Sequence, residues 1–256
     1  MDKNNITVRI DRAVARVTLA RPQTRNAIDM PTIVELAETY VALSKQTDVK
    51  VIVLQGSAKA FSAGGDLKFV ADNLDNLPKA VHAFLDQSDL LLHTMASMPQ
   101  ISICVVEGVA AGAGMSLAMA NDLCFATSSA KFVPAYLQLG VTPDFGGSVN
   151  LKRRIGQQAA LRFLLGKDGI DAARAHTLGM VDQLFAEDTA KNDVESEIDF
   201  LASSNSVSLR ETKAIMRPVA QDALQAGLDI ERTHLLAAMS SDEYVNNIRA
   251  FLSGRG

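Results

Sequence analysis

The stretch from Val105 to Ala126, VVEGVAAGAGMSLAMANDLCFA, constrains the fold of this chain more than any other part of its sequence. It begins as an apolar strand, passes through a turn (108–114) in which six of seven residues are Gly or Ala, and continues into strong helix formers. Small side chains leave the backbone open to close approach, and the first amides of a helix lack partners within that helix. The turn can therefore hold an anion, or an oxygen that becomes one. The same residues would also let the helix pack tightly on the strand, and this stretch alone does not separate the two interpretations.

Strands alternate with helices along the first three quarters of the chain. Segments 7–10 and 14–19 predict a hairpin, and the apolar run at 49–55 is typical of a buried strand. Strand and helix signals continue to alternate up to about residue 185, which predicts an α/β core with largely parallel strand pairing. From residue 191 onward only helical periodicity is left. Four helices without a sheet partner would have little core of their own.

A second turn rich in small residues, AFSAGGDL at 60–67, follows the strand at 49–55. Together with GVAAGAG, one strand–helix–strand unit later, it resembles the motifs of the crotonase (enoyl-CoA hydratase/isomerase) superfamily. The resemblance covers almost the whole chain, from RPQTRNAID near the start to AFLSGR at the end. It implies a spiral of ββα units with a C-terminal helical extension. The implied division is an acyl-CoA-binding core (1–190) and a helical oligomerisation region (191–256), with assembly as a homotrimer or a dimer of trimers.

The substrate that this resemblance implies is an acyl-CoA thioester. By motif position, its carbonyl oxygen would lie between the backbone N–H groups of Gly65 and Ala113. Two such donors favour any reaction that passes through an enolate, because they stabilise the negative charge that develops on the oxygen. Coenzyme A is part of the substrate, so the resemblance implies no separate cofactor.

Five further positions match CoA-contacting positions of the family. Arg25 lies where a basic residue often meets the CoA phosphates, and Ala63, Asp66 and Leu67 lie where the backbone meets the adenine end. Phe251 matches a position that covers the adenine from a neighbouring subunit. Plainer interpretations stay open: Arg25 as a surface charge, Asp66 as the N-cap of a helix that starts at Leu67, and Phe251 as helix packing.

The side chains around the acyl group must select the reaction. Hydratases of the family use two glutamates, and alignment on their motifs places Ser116 at the first of these acyl-pocket positions and Tyr136 at the second. Hydroxyl groups are poor bases at neutral pH. Asp144, in TPDFGG, resembles instead the acid of Δ3,Δ2-enoyl-CoA isomerases and of the phenylacetate-pathway isomerase. A single base can take a proton from C2 and return it at C4, so these residues favour an isomerase in which Asp144 is the acid/base.

Several alternatives stay open. Asp144 follows Pro143 and could simply cap the next helix, where a lowered pKa would make it a weaker base. With both glutamates missing, the chain could also be a hydratase or another crotonase-type enzyme that uses Tyr136 or a bound water, or a noncatalytic acyl-CoA-binding subunit. An aspartate-dependent dehalogenase fits less well, because the chain contains no Trp.

Composition limits the other classes of function. The 25 basic and 29 acidic residues give a net charge of −4, so we expect no nucleic-acid partner, and the basic cluster at 152–154 is typical of a solvated face or subunit rim. Cys104 and Cys124 lie in apolar runs, which favours a reducing compartment. The four His are not spaced as metal ligands usually are, so we expect no metal site. The glycine-rich motif of NAD-binding proteins, followed by an acidic residue, is not found either, so we expect no NAD. We expect a cytoplasmic protein without a signal peptide or a membrane span.

Overall fold

A computed structural model of the protein describes residues 5–216 and 221–253. Within these residues the chain forms two sheets and twelve α-helices. The strands are β1 (Ile6–Asp11), β2 (Val14–Leu19), β3 (Val51–Gly56), β4 (Ile101–Val106), β5 (Val109–Ala111), β6 (Leu123–Thr127), β7 (Lys131–Val133), β8 (Ile170–Asp171) and β9 (Gln183–Phe185). The helices are α1 (Met30–Ser44), α2 (Leu67–Asp72), α3 (Leu77–Ser97), α4 (Ala113–Met119), α5 (Tyr136–Leu139), α6 (Gly147–Ile155), α7 (Gln157–Leu164), α8 (Ala172–Leu178), α9 (Ala190–Ser203), α10 (Ser206–Ile215), α11 (Gln221–Met239) and α12 (Asp242–Leu252).

The larger sheet has six strands in the order β1-β2-β3-β4-β6-β9 and is parallel except for β1, which forms the predicted hairpin with β2. Successive side chains of β3 point to opposite faces of this sheet. Ile52 and Leu54 enter one apolar cluster, whereas Val51 and Val53 enter another. Because both faces are covered, the strand reads as an unbroken apolar run. The α/β class expected from the sequence is confirmed.

The smaller sheet has three strands in the order β5-β7-β8, with β5 and β7 parallel and β7 and β8 antiparallel. Its first strand, β5, ends immediately before the GAG segment of the central turn. An isolated bridge between Ser62 and Ala110 joins β5 to the AFSAGGDL turn. The smaller sheet therefore brings the two glycine-containing turns side by side.

The C-terminal helices pack on the core of their own chain. α9 lies against β3 and β9, and α10 lies against β4. α11 packs on α3 and α6, where Leu224 and Leu228 join the main apolar cluster. α12 contacts α2 and α5, and its Tyr244 and Ile248 are buried in a smaller cluster. These helices therefore have a core partner within the chain, which the sequence did not predict, and the oligomerisation role of residues 191–256 stays a prediction.

None of the helices in the described ranges combines the length and apolarity needed to cross a membrane.

Candidate active site

The two glycine-containing turns meet beside β5. The Ser62 amide donates to the Val109 carbonyl at 3.0 Å, and the Ser62 carbonyl accepts from the Ala111 amide at 2.9 Å. A Cβ atom on Gly64 would lie 2.7 Å from the Ala111 carbonyl oxygen, a separation that real side chains do not adopt. Glycine is therefore required where the first turn crosses the second.

The amides of Gly65 and Ala113 each follow a glycine with positive φ. Gly64 has a φ of 96°, and Gly112 has a φ of 49° with a ψ of −125°, a conformation that other residues rarely adopt. These dihedral angles set the direction of the next two peptide groups. Among the described residues, neither amide donates to a protein acceptor. Both residues line one cavity, so the structure brings the predicted pair together.

This cavity has a volume of about 140 Å³ and a mostly apolar wall. Helices α2 and α3 form one part of the wall, and α11 and α12 form another. The ring of Phe84 lies between those of Phe69 and Phe145, at centroid distances of 6.0 and 6.1 Å. Leu235 and Met239 of α11 complete the wall from the C-terminal region. The wall suits an apolar group rather than a charged one.

Asp144 reaches the cavity from the loop before α6 and is half-buried. Its Oδ1 atom accepts a hydrogen bond of 3.2 Å from the Tyr136 hydroxyl, which lies 2.6 Å from the Ser116 hydroxyl. Burial raises the pKa of Asp144 to about 7, and the negative charge of Glu231 adds to the rise, whereas the Tyr136 hydrogen bond opposes it. A carboxyl group that titrates near neutral pH can both accept a proton and return it.

Ser116 and Tyr136, expected together in the acyl pocket, lie at different depths. Tyr136 lines the cavity, but Ser116 is completely buried and does not belong to the cavity lining found among the described residues. A Cβ atom on Gly147 would overlap the Ser116 hydroxyl, so α6 packs directly on Ser116. Among the described residues, Ser116 thus contacts the Tyr136 hydroxyl and the start of α6, and its expected place in the acyl pocket stays a prediction. Burial, together with the charge of Asp144, raises the pKa of Tyr136, which keeps the phenol protonated.

Glu231 of α11 belongs to this site, although no motif in the sequence marks it. Its side chain is buried, with 6% exposure. Oε2 accepts from the Gly146 amide at 2.8 Å, and Oε1 accepts from the Ser148 amide at 2.7 Å. The N-cap of α6 is Gly146, and Asp144 does not cap this helix. The amides of Gly146 and Ser148 at the start of this helix are bound by Glu231 instead.

The predicted CoA-binding residues gather around the AFSAGGDL turn, with one exception. Ala63, Asp66 and Leu67 line the cavity. Arg25 has an exposed side chain, and its carbonyl accepts from the Ala63 amide at 2.9 Å, so it lies beside the same turn. Phe251 falls in α12, but its side chain lies outside the described part of the structure.

Asp66 is engaged in structural contacts. Its carboxylate caps α2 by accepting from the Lys68 amide at 2.9 Å and pairs with Arg21 at 3.0 Å. The same guanidinium pairs at 2.8 Å with Asp29, which caps α1. Arg21 thus joins the starts of two helices, and it was not among the predicted site residues. It also neutralises the Asp66 carboxylate.

Comparisons with known proteins identify the family of the chain. The family model for enoyl-CoA hydratase/isomerase matches residues 9–255. The chain is 31% identical over 252 residues to the 1,2-epoxyphenylacetyl-CoA isomerase of Escherichia coli, covering 96% of this chain and 94% of that one. It is 30% identical over 243 residues to the 2,3-dehydroadipyl-CoA hydratase of the same bacterium, covering 94% and 93%. An enoyl-CoA hydratase structure from Mycobacterium avium subsp. paratuberculosis superimposes with a TM-score of 0.88 at 26% identity, covering 98% of this chain and 96% of that one.

The fold and the cavity between the two glycine turns define a crotonase-type enzyme. The chain belongs to the enoyl-CoA hydratase/isomerase family, as its motifs indicated. Its relatives include both an isomerase and a hydratase, so the choice of reaction depends on the side chains at the site.

Proposed function

We propose that the protein is an enoyl-CoA isomerase that moves the double bond of an acyl-CoA thioester, with Asp144 as the acid/base. The observation that carries this proposal is the Asp144 carboxyl group, which lines the cavity and has a pKa of about 7. At the two positions where hydratases of the family have glutamates, this chain has the hydroxyl groups of Ser116 and Tyr136. Among the described residues that line the cavity, Asp144 is therefore the one carboxylate outside a helix cap or an ion pair, where hydration would use two.

The other carboxylate in the described cavity lining is poorly suited to proton transfer. The Asp66 carboxylate accepts from the Lys68 amide and pairs with Arg21, so it is already engaged in structural contacts. Asp144 instead accepts from a neutral phenol in a more apolar setting. General acid–base catalysis is most efficient when the pKa of the group lies near the working pH, a condition that Asp144 meets.

The proposed reaction is a 1,3 proton shift. Ionised Asp144 takes a proton from C2 of a 3-enoyl thioester, and the electron pair of the broken C–H bond spreads over the conjugated system as a dienolate. The protonated Asp144 then gives this proton to C4, and the double bond is left between C2 and C3. Charge is balanced at each step, because the carboxylate loses its negative charge as the enolate gains one.

The negative charge of the enolate would lie on the thioester oxygen, between the amides of Gly65 and Ala113. In support of this role, both amides border the cavity and, within the described chain, neither donates to a protein acceptor. One such donor typically contributes about 2.7 to 4 kcal/mol to transition-state stabilisation.

Asp144→Asn tests the proposal. The variant removes the base and keeps the shape of the side chain, so we expect isomerisation of a 3-enoyl-CoA to fall by about 10²- to 10⁴-fold. Binding of a saturated acyl-CoA, measured by calorimetry, should be unchanged. Asp188→Asn, at an exposed position, is the matched control and should retain full activity. Full activity of Asp144→Asn would remove this residue from the mechanism.

Two further assays separate the alternatives. Addition of water to crotonyl-CoA at a rate comparable with isomerisation would favour a hydratase. Tight binding of acyl-CoA without turnover over a panel of unsaturated substrates would favour a noncatalytic subunit.

We also propose that the chain assembles as a homotrimer or a dimer of trimers. Phe200, Met216 and Ile230 are exposed large apolar side chains around a depression of about 1220 Å³. Exposed apolar patches of this kind mark contact surfaces. Light scattering during gel filtration would distinguish a 27.4 kDa monomer from a trimer or hexamer.

A further inference from the structure

The loop that carries Asp144 is held by a second carboxylate from a different part of the chain. Glu231 accepts from the amides of Gly146 and Ser148, at 2.8 and 2.7 Å, on either side of the first residue of α6. Glu231 is buried, and it does not belong to the cavity lining defined by the described residues. It therefore contacts the loop and the helix rather than a substrate.

These two contacts change what Asp144 can do. Amides at the start of a helix attract a nearby aspartate, and a carboxylate that accepts them is a weaker base. Asp144 lies two residues before the N-cap Gly146, close enough in sequence to compete for them. Because Glu231 binds the amides of Gly146 and Ser148, the Asp144 carboxylate is left to Tyr136 and the cavity.

The negative charge of Glu231 makes Asp144 a stronger base, as do the hydrogen bonds by which Glu231 occupies the helix amides. The groups that face Asp144 from neighbouring elements are Glu231 of α11, Tyr136 of α5 and Tyr244 of α12. The charge of Glu231 raises the pKa of Asp144. Burial raises the pKa of Glu231 as well, and hydrogen bonds from the side chain and amide of Ser148 and from the amide of Gly146 oppose that rise by stabilising its ionised form. In a pair of nearby carboxyl groups, one holds its charge and the other titrates at higher pH.

We propose that Glu231 is a positioning residue for the proton transfer, which takes over the cap of α6 so that the Asp144 carboxylate stays turned to the cavity as an effective base. The catalytic part of this inference rests on the proposed function, in which Asp144 is the acid/base. Its structural content, that Glu231 controls the ionisation of Asp144, can be measured without any substrate.

The test compares Glu231→Gln with Glu187→Gln in the full-length protein. Gln has the shape of Glu but lacks the charge, and its amide group cannot accept from both backbone N–H groups. Glu187 is exposed, so its replacement removes the same charge away from the site. The primary readout is the titration of the Asp144 carboxyl carbon by ¹³C NMR, assigned by its absence from Asp144→Asn.

We expect the Asp144 pKa to fall by about one unit in Glu231→Gln and to stay unchanged in Glu187→Gln. If the enzyme is an isomerase, the acid limb of kcat/KM should move to lower pH by the same amount. At pH 8, kcat should fall about tenfold, because a weaker base lowers the rate, while KM changes less than about twofold. A merely structural role would lower the melting temperature without moving the titration.

An unchanged Asp144 pKa in folded Glu231→Gln would overturn the inference. Absence of isomerase activity in the wild-type protein, with the expected NMR shift present, would overturn the proposed function alone. If Glu231→Gln does not fold, Glu231→Asp retains the charge at the same helical position. The Asp144 pKa in that variant should stay above the usual range, and an ordinary value would contradict the electrostatic role.

Discussion

The Tyr136 hydroxyl donates a hydrogen bond of 3.2 Å to the Oδ1 atom of Asp144, and this contact opposes the two larger influences on the carboxyl group. It stabilises the ionised form, whereas burial and the charge of Glu231 stabilise the protonated form. The pKa of the proposed base therefore lies near neutral pH because opposing effects come from different elements of the fold. Changing one effect at a time should move the pH dependence in a defined direction.

Replacing Tyr136 by Phe removes the donor to Asp144 and leaves the apolar ring. The pKa of Asp144 should rise above about 7, because the only described side chain that favours its ionised form is lost. We expect the acid limb of kcat/KM for isomerisation to move to higher pH, opposite to the shift expected for Glu231→Gln. For a rise of about one unit, the ionised fraction at pH 7 falls from about a half to about a tenth, so the rate should fall about fivefold.

Tyr40→Phe is the control for the loss of a buried hydroxyl. The Tyr40 hydroxyl is buried and has no hydrogen-bond partner among the described residues, and it does not belong to the described cavity lining. Its removal should leave the pH profile unchanged and should not lower stability. A Tyr136→Phe profile identical to that of Tyr40→Phe would contradict the proposed coupling between Tyr136 and Asp144.

Gly112→Ala tests the direction of the Ala113 amide. A Cβ atom at Gly112 would meet no atom closer than 4.0 Å, so its cost is conformational, from a φ of 49° and a ψ of −125°. We expect a loss of about 1 to 3 kcal/mol in the free energy of unfolding, or a rotated peptide group that relieves this strain. In either case isomerisation should fall by about 10²-fold or more, as expected when one oxyanion donor is displaced.

Gly156→Ala provides the matched comparison. Gly156 also has a positive φ, of 77°, and lies between α6 and α7, where a Cβ atom added to it would have no neighbouring atom within 4 Å. Its replacement should destabilise the protein to a similar degree in urea unfolding while the specific activity is retained. Equal activity losses in the two variants would show that general strain, rather than the Ala113 amide, explains the Gly112 effect.

The sequence predicted the parts of the fold that depend on local pattern. Period-two and continuous apolar runs predicted the hairpin and the buried strand β3, and Asp66 acts as the N-cap that its position allowed. The two glycine turns and Asp144 were selected from motifs, and all three border the same cavity. The assignment of catalytic roles to them stays a prediction.

The parts that the sequence did not predict depend on contacts between distant segments. Glu231 lies on the buried face of α11 with Leu228 and Leu235, and a lone charge on an apolar face was the available signal. No local pattern shows that this face meets the start of α6. Burial is the main cause of the raised pKa of Asp144 and the charge of Glu231 adds to it, and neither can be inferred from TPDFGG alone.

Asp144→Asn should make the protein more stable at alkaline pH. The pKa of Asp144 is raised in the folded state to about 7 from an ordinary value of 3.8, so the protonated form stabilises the fold below pH 3.8 and this contribution is lost as the pH rises through about 7. Above that pH the wild-type protein must keep a disfavoured charge, which the asparagine removes. The gain should reach at most about 4 kcal/mol at pH 8 and should vanish near pH 4, when urea unfolding of both proteins is compared. An equal gain at both pH values would contradict the raised pKa.

Ser116→Glu should not convert the enzyme into a hydratase, although it restores a family carboxylate. Ser116 is completely buried, and α6 packs on it so closely that Gly147 has no room for a Cβ atom. A glutamate would have to displace the start of α6 or bury an unpaired charge, so we expect a loss of about 3 kcal/mol or more in the free energy of unfolding. Ser116→Ala, which loses only the 2.6 Å contact with Tyr136, should cost about 1 kcal/mol. A folded Ser116→Glu protein that hydrates crotonyl-CoA would show that α6 can move away, and that its packing on Ser116 does not exclude the second carboxylate.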